Sequence, residues 1–280
     1  MQYDRPVREL IPERSSVRTY AEEAMDPEAM RRMEEACASL AKAPFGEAAR
    51  FRVVERPFER GMPVKVSDYG LVRNPRYFLI GAIERSPMAR EGYGYLMEHL
   101  VLRATDLGLG TCWMGLFNRE YFKDFTTRDD ELVPAIAVLG VPAERRRLGE
   151  RLIRMGVKAD SRRDWSELFL SDAFGTPLSR ESAGRLSGPL EMLRLAPSAG
   201  NTQPWRVVKE EGRNVLHVYL RQMKQTYYDA GMHNLDIGIA MSHLELAARE
   251  AGIHGEWRVS DPDLAGLPER TEYRASWHAR

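Results

Sequence analysis

Leu96-Met97-Glu98-His99-Leu100 lies over Ala240-Met241-Ser242-His243-Leu244 at a constant offset of 144. The pairing runs on without a gap: Leu102 meets Leu246, Ala104 meets Ala248, Gly108 meets Gly252 and Trp113 meets Trp257. Upstream, Arg52-Val53-Val54 meets Arg206-Val207-Val208 at 154, and Ala43-Pro44 meets Ala196-Pro197 at 153. Matches in that order along a chain are the mark of a repeated unit. The large change of offset, by about ten residues, implies a longer loop in the first half.

Each unit reads as helix, strand, loop, long helix, strand. In the first, Asp26-Pro27 supplies a side-chain cap and a proline at the first helical position, opening a helix that runs to about Leu40. Residues 51–54, 77–83 and 135–139 are β-rich. Residues 91–107 form a helix that is apolar over more than one face, as a helix buried between layers is, and Gly108 ends it. The second unit repeats this from Pro189 through Val207, residues 215–220 and a helix over 237–251. The expected class is α+β, a sheet covered by helices. Residues 145–172 connect the halves, which are expected at 1–172 and 173–280.

Composition narrows the function classes. The 280 residues, 43% hydrophobic and 29% charged, suit a folded globular chain, and 41 basic against 41 acidic residues give no net charge. That removes a whole-chain electrostatic case for nucleic acid or an anionic membrane. No run reaches the roughly 18 apolar residues of a membrane span. The charged start, residues 1–10, lacks a signal peptide's apolar stretch, and with two cysteines, Cys37 and Cys112, a reducing cytoplasm is expected. There is no Cys-x-x-Cys, His-Glu-x-x-His or P-loop, so no metal site is expected.

Two motifs carry chemistry. In an extended Glu13-Arg14-Ser15-Ser16-Val17-Arg18-Thr19-Tyr20, Arg14, Ser16 and Arg18 share a face, with Ser15, Val17 and Thr19 on the other. Two guanidiniums flanking a hydroxyl suit a phosphate and a polyol, although a solvated charged edge has the same pattern. In Leu195-Ala196-Pro197-Ser198-Ala199-Gly200-Asn201-Thr202-Gln203-Pro204-Trp205, prolines restrict a loop in which Ser198, Asn201 and Gln203 are preset donors and acceptors. Such groups suit a flat heterocycle with imide and carbonyl edges.

Arg-x-Ser-x-Arg, Ala-Pro-Ser-x-x-Asn-x-Gln-Pro-Trp and Gly108-Leu109-Gly110-Thr111-Cys112-Trp113 after a long helix together resemble the nitroreductase family. The likeness covers most of the chain and is closest to the subgroup in which two family units are fused, with the motifs divided between the halves. It implies a nitroreductase-like α+β fold and an FMN-dependent oxidoreductase that uses NADH or NADPH. Reduction of a nitroaromatic, a quinone or a related small molecule would follow a ping-pong course. With both family subunits in one chain, a monomer is expected.

Residue by residue, the resemblance places Arg14 and Arg18 on phosphate and ribityl oxygens, with Ser16 beside them. It places Gly115 and Leu116 in the backbone segment beside flavin N5, and Arg162 on the phosphate. Pro197, Ser198, Asn201 and Gln203 would reach the flavin from the second half. Arg163 and Lys158 are weaker candidates, because basic linkers are usually solvated. The alternative is a flavin-binding carrier or sensor without turnover. His99 and His243 read as matched core histidines and Cys112 as packing. Phe117, Tyr121, Phe122 and Phe125 read as core or cover, with a wall over the flavin as the other option.

Overall fold

The computed structural model describes residues 1–58, 63–67, 70–143 and 161–280. Lys158 and the first part of the 145–172 connection lie outside the described residues. Contacts divide the chain into two units, Met1–Ala89 with Leu96–Ala159, and Arg90–Tyr95 with Asp160–Arg280.

In chain order the first unit carries α1 (Val7–Glu13), α2 (Pro27–Ser39), β1 (Ala49–Glu55), β2 (Pro63–Ser67), β3 (Gly70–Arg73), β4 (Tyr77–Glu84), most of α3 (Ala89–Asp106), β5 (Gly110–Met114), β6 (Glu131–Leu132) and β7 (Ile136–Gly140). The Asp26 carboxylate accepts from the N–H groups of Glu28 and Ala29, both at 3.0 Å, so α2 starts where the capping signal puts it. The sheet order is β1-β4-β7-β5, antiparallel throughout, with β6 added to β4. β2 and β3 pair as a hairpin between β1 and β4, which is the longer loop implied by the change of offset. One face of this sheet packs Phe78, Ile80, Cys112, Met114, Ile136 and Val138 against Phe122 and Phe125. Tyr121 and Phe122 stand edge-on to Phe78 at 5.7 and 5.2 Å, so this aromatic run covers the sheet.

The second unit carries α4 (Trp165–Leu168), β8 (Phe169–Ser171), α5 (Arg180–Ala183), α6 (Ser187–Arg194), β9 (Trp205–Lys209), β10 (Val215–Arg221), α7 (Gln225–Asp229), α8 (Met232–Glu250), β11 (Gly255–Arg258) and β12 (Thr271–Ala279). Its sheet order is β11-β12-β10-β9-β8. β8 adds parallel to β9, with Phe169 opposite Val207, so residues 161–172 group with the second unit and the division falls earlier than 172/173.

The two sheets share a strand order. β9-β10-β12-β11 repeats β1-β4-β7-β5, each antiparallel, with a long helix after the second strand in both units. The helix ends also match: the Leu109 N–H donates to the Ala104 carbonyl and the Ile253 N–H to the Ala248 carbonyl, both at 2.8 Å. Gly108 at φ +73° and Gly252 at φ +71° supply the left-handed turn that each ending requires. α8 begins at Met232, five residues before the start expected at 237, because His233, Asn234 and Asp236 conceal an apolar pattern whose polar members are buried or half-buried. His99 and His243 are buried and bonded, to the Tyr3 hydroxyl at 3.4 Å and to the Met192 carbonyl at 3.1 Å. Among the described residues no helix is long and apolar enough to cross a membrane.

Candidate functional site

In the first unit, residues 14–20 leave α1 and run parallel to β5, the edge strand of its sheet. Ser16 bridges Thr111, and the Val17 N–H donates to the Thr111 carbonyl at 2.8 Å. The approach requires Gly110, where a Cβ would sit 2.8 Å from Val17 Cγ2 and 2.9 Å from Val17 Cβ. The buried Tyr20 hydroxyl donates to the Val17 carbonyl at 2.7 Å and holds the segment down.

The alternation holds from Ser16 onward: Val17 and Thr19 are buried, and Ser16 and Arg18 are half-buried on the other side. Arg18 Nε is buried and has no hydrogen-bond partner among the described residues. Arg14 departs from the pattern because it is the C-terminal cap of α1 and lies before the extended run. It lines a recess of about 140 Å³ together with Glu13, Ser15, Val17, Thr19 and Gly110.

Beyond the far end of β5 come Gly115 and Leu116. Leu116 is left-handed at φ +45°, and its side chain is 41% exposed. A leucine in that region carries strain of about 1–2 kcal/mol, and an exposed side chain offers little packing to offset it. Strain without packing is a mark of a segment held for function.

The second unit gathers Arg162, Pro197, Ser198, Asn201 and Gln203 around one loop. A single turn of 3-10 helix, Ala199–Asn201, follows Ser198. Gly200, Asn201 and Gln203 are left-handed, at φ +57°, +55° and +50°. Three such residues in four demand outside support. The Ser198 hydroxyl accepts from the Gln203 N–H at 2.9 Å. Gln203 is 3% exposed and turned inward: its Oε1 accepts from the Arg163 N–H at 2.8 Å, and its Nε2 faces Asn201 at 3.2–3.3 Å. Asn201 Nδ2 donates to the Ser161 carbonyl at 3.0 Å. Arg162 Nη2 donates to the Leu195 carbonyl at 3.1 Å. The amides of Asn201 and Gln203, expected to face a ligand, thus set the shape of the loop, and Ser198 keeps a hydroxyl proton to donate.

Sequence reasoning missed two buried charged groups that clamp this loop. At its start the Ala199 N–H donates to Asp236 Oδ1 at 2.9 Å; at its end Arg206 Nη1 donates to the carbonyls of Gln203 and Trp205, at 3.2 and 2.6 Å. Burial pushes the Asp236 carboxyl up, against the opposing pull of His233 at 3.4 Å and the Ala199 N–H. Asp236 had a readable signal, an acid between Leu235 and Ile237 in an apolar run. Arg206 had a similar one, a cation inside a strand.

The family described as "Putative TM nitroreductase" matches residues 6–248. Among solved structures, a "putative nitroreductase" from Thermotoga maritima is 22% identical over 99% of this chain and 95% of its own, with a TM-score of 0.62. A nitroreductase with bound FMN from Bacteroides fragilis is 21% identical over 51% of this chain and 92% of its own, with a TM-score of 0.40. No curated protein matches the sequence. The fold is nitroreductase-like, and by the match over 6–248 the chain belongs to the nitroreductase family.

Proposed function

We propose that the chain binds one FMN and works as an NAD(P)H-dependent oxidoreductase. It would reduce an electron-poor small molecule, such as a nitroaromatic or a quinone, in two half-reactions. The observation that carries the reading, in a member of this family, is the buried and unsatisfied Nε of Arg18 on a segment with Ser16 and Arg14. A buried cationic donor calls for an acceptor, and a phosphate supplies one. Arg14, Ser16, Arg18 and Arg162 would hold the phosphate and ribityl oxygens. Gly115 and Leu116 would present backbone groups, and Pro197 and Ser198, on a loop shaped by Asn201 and Gln203, would hold the ring system. The bound flavin supplies the two-electron chemistry, while the protein binds, orients and tunes it. We read the shared strand order as two fused family units, which makes the protein a monomer.

The direct test is anaerobic addition of NADH or NADPH to the purified protein. Loss of the visible flavin band is expected. Persistent colour rejects turnover in favour of a carrier, and a colourless protein that refuses FMN rejects the cofactor. Arg14→Ala is expected to weaken FMN binding by about 1.5–3 kcal/mol, the range of a hydrogen bond to a charged group. An unchanged dissociation constant in a fluorescence titration removes Arg14 from the site.

One flavin per chain is expected, because neither unit repeats the other's motif. Where the second unit would carry an arginine segment, Ser179-Arg180-Glu181-Ser182 forms α5 instead of an extended edge. Arg180 there pairs with Glu191 at 2.7 Å and lies over the Trp165 ring at 4.2 Å. Where the first unit would carry the serine loop, residues 43–47 close on themselves, and the buried Glu47 accepts from the Ser86 hydroxyl at 2.5 Å. A buried carboxylate there disfavours an anionic ligand. Flavin released by denaturation and counted against protein checks this; a saturated ratio near two rejects it.

A further inference from the structure

The second unit is longer than the first where its second strand passes into the long helix. Val53 faces Leu79 across β1 and β4, and Val207 faces Val218 across β9 and β10. Val53 and Val207 are equivalent, so Leu79 and Val218 are too, at an offset of 139 against 144 for His99 and His243. The second unit therefore holds five more residues between these points. Residues 85–88 join β4 to α3, whereas 222–231 join β10 to α8 and contain α7. The unit with the longer joint is also the one that carries the serine loop, residues 198–203.

The longer joint is tied to that loop at two places. A Cβ built on Gly200 would sit 2.8 Å from Tyr227 Cε2 and 3.1 Å from the Tyr227 hydroxyl oxygen, so the ring edge rests on bare loop backbone. Gly200 is also left-handed at φ +57°, and both the contact and the conformation favour glycine. The ring itself is fixed: Lys224 Nζ stands over its face, 4.4 Å from the centroid, and His233 lies edge-on to it at 6.2 Å. The second tie runs through His233. Its Nε2 faces the N–H groups of Met223 and Lys224, each at 3.4 Å, and its Nδ1 faces Asp236, whose other oxygen takes the Ala199 N–H at 2.9 Å. The approach to α7 and the start of the loop thus hang on one buried pair.

Left-handed backbone at Asn201 and Gln203 is a shape that a chain leaves readily unless its surroundings hold it. Hydrogen bonds fix Asn201 and Gln203, but Gly200 is exposed and is held from outside by the Tyr227 ring. Tyr227 is itself only half-buried, so its contact bears on the shape of the loop more than on the core. We propose that Tyr227 is a positioning residue of the flavin site, through which α7 braces the 198–203 loop in its ligand-ready shape before any ligand arrives. The role rests on the flavin reading of that loop, and it concerns the flavin ring system, to which Pro197 and Ser198 are assigned.

Stopped-flow binding of FMN and of riboflavin to the flavin-free protein measures the brace. Affinity scales with the fraction of molecules whose loop already has the competent shape. If the unbraced loop holds that shape in about a tenth of molecules, Tyr227→Ala slows association about tenfold and leaves dissociation near the wild-type rate. The loss is expected to be equal for the two flavins, because they share the ring system and differ in the phosphate. A residue that touched the flavin itself would speed dissociation instead. Tyr227→Phe keeps the ring edge on Gly200 and is expected to restore most of the association rate.

A second measurement needs no ligand. Gly200→Ala drives a methyl into the Tyr227 ring, and Tyr227→Ala removes that obstacle. In urea denaturation the double variant is therefore expected to lose less than the two single losses together, as residues in contact do. Additive losses would mean that the ring does not rest on Gly200, and unchanged flavin association in Tyr227→Ala would mean that the loop keeps its shape unaided. Either result overturns the proposal. A wild-type protein that binds neither flavin would instead remove the proposed function, and the role of Tyr227 with it, whatever the urea cycle reads.

Discussion

Gly238→Ala is expected to destabilise the protein by about 3 kcal/mol or more, against a helix-propensity gain of about 1 kcal/mol from replacing glycine. A Cβ built on Gly238 of α8 would sit 1.9 Å from the Glu91 carbonyl oxygen and 2.8 Å from the Tyr95 nitrogen. Gly94 does the reciprocal service from α3, where a Cβ would meet the Leu235 carbonyl oxygen at 2.3 Å. Both obstructions are backbone and cannot rotate away, so the added methyl must push the start of α3 off α8. That shift also disturbs Glu91, a buried carboxylate that takes Arg274 at 2.6 Å and Asn234 Nδ2 at 2.8 Å. Helix propensity favours alanine here and packing forbids it, and packing is the stronger of the two. Urea denaturation measures the difference. In a chain of this length the melting temperature should fall by on the order of 5 °C or more. A variant as stable as wild type would mean that the two helices do not approach this closely.

That packing was only half legible beforehand. The sequence marks α3 and α8 as helices buried on more than one face, through their apolar residues and the glycines that follow them. Nothing in it says that Gly94 and Gly238 face each other's backbone, because that depends on which helix each one meets. Strands with apolar periodicity, β1, β4, β7, β9 and β10, were readable locally. β12, Thr271–Ala279, was passed over, although Glu272, Arg274, Ser276 and His278 alternate with Tyr273, Ala275 and Trp277 as the residues of a strand do. β8 was not readable, being three residues that become a strand only by adding to β9. α1 contains Pro12, which argues against a helix until its position near the C-terminal end is known.

The candidate site divides in the same way. Ser16 and Arg18 follow from strand alternation, which needs only the chain's own period of two. Gln203 does not, because whether an amide faces a ligand or its own loop depends on Arg163, forty residues away in sequence. Leu116 was singled out by resemblance, and its left-handed backbone is a property that no sequence pattern around it announces. Charge balance misleads at this scale as well. A net charge of zero over the whole chain conceals Arg206, whose electrostatic problem is local.

Asp236→Ala is expected to be the most damaging change at the candidate site. Asp236 is 3% exposed, and each of its oxygens has a partner: Oδ1 takes the Ala199 N–H at 2.9 Å, and Oδ2 faces His233 Nδ1 at 3.4 Å. The N–H groups of Met223 and Lys224 point at His233 Nε2, each at a long 3.4 Å. Those two donors require Nε2 to accept, which places the imidazole proton on Nδ1, directed at Asp236. The carboxylate therefore holds the start of the loop and fixes the tautomer of His233, which in turn positions the chain before α7. Removing it leaves a buried amide and a buried imidazole donor unsatisfied. Each of these buried donors left unsatisfied costs about 1–3 kcal/mol. Much of that falls on a loop already strained at Asn201 and Gln203, so flavin affinity should drop along with stability. Asp236→Asn separates the two roles. Its oxygen still accepts from Ala199, but its Nδ2 presents protons to His233 Nδ1; if the ring switches tautomer, Nε2–H then meets the N–H groups of Met223 and Lys224. The asparagine variant should therefore lie between wild type and alanine in urea denaturation, and closer to wild type in FMN titration, where the Ala199 contact matters most. An alanine variant with wild-type stability and wild-type flavin affinity would show that the loop keeps its left-handed backbone without this anchor, and would remove Asp236 from the site.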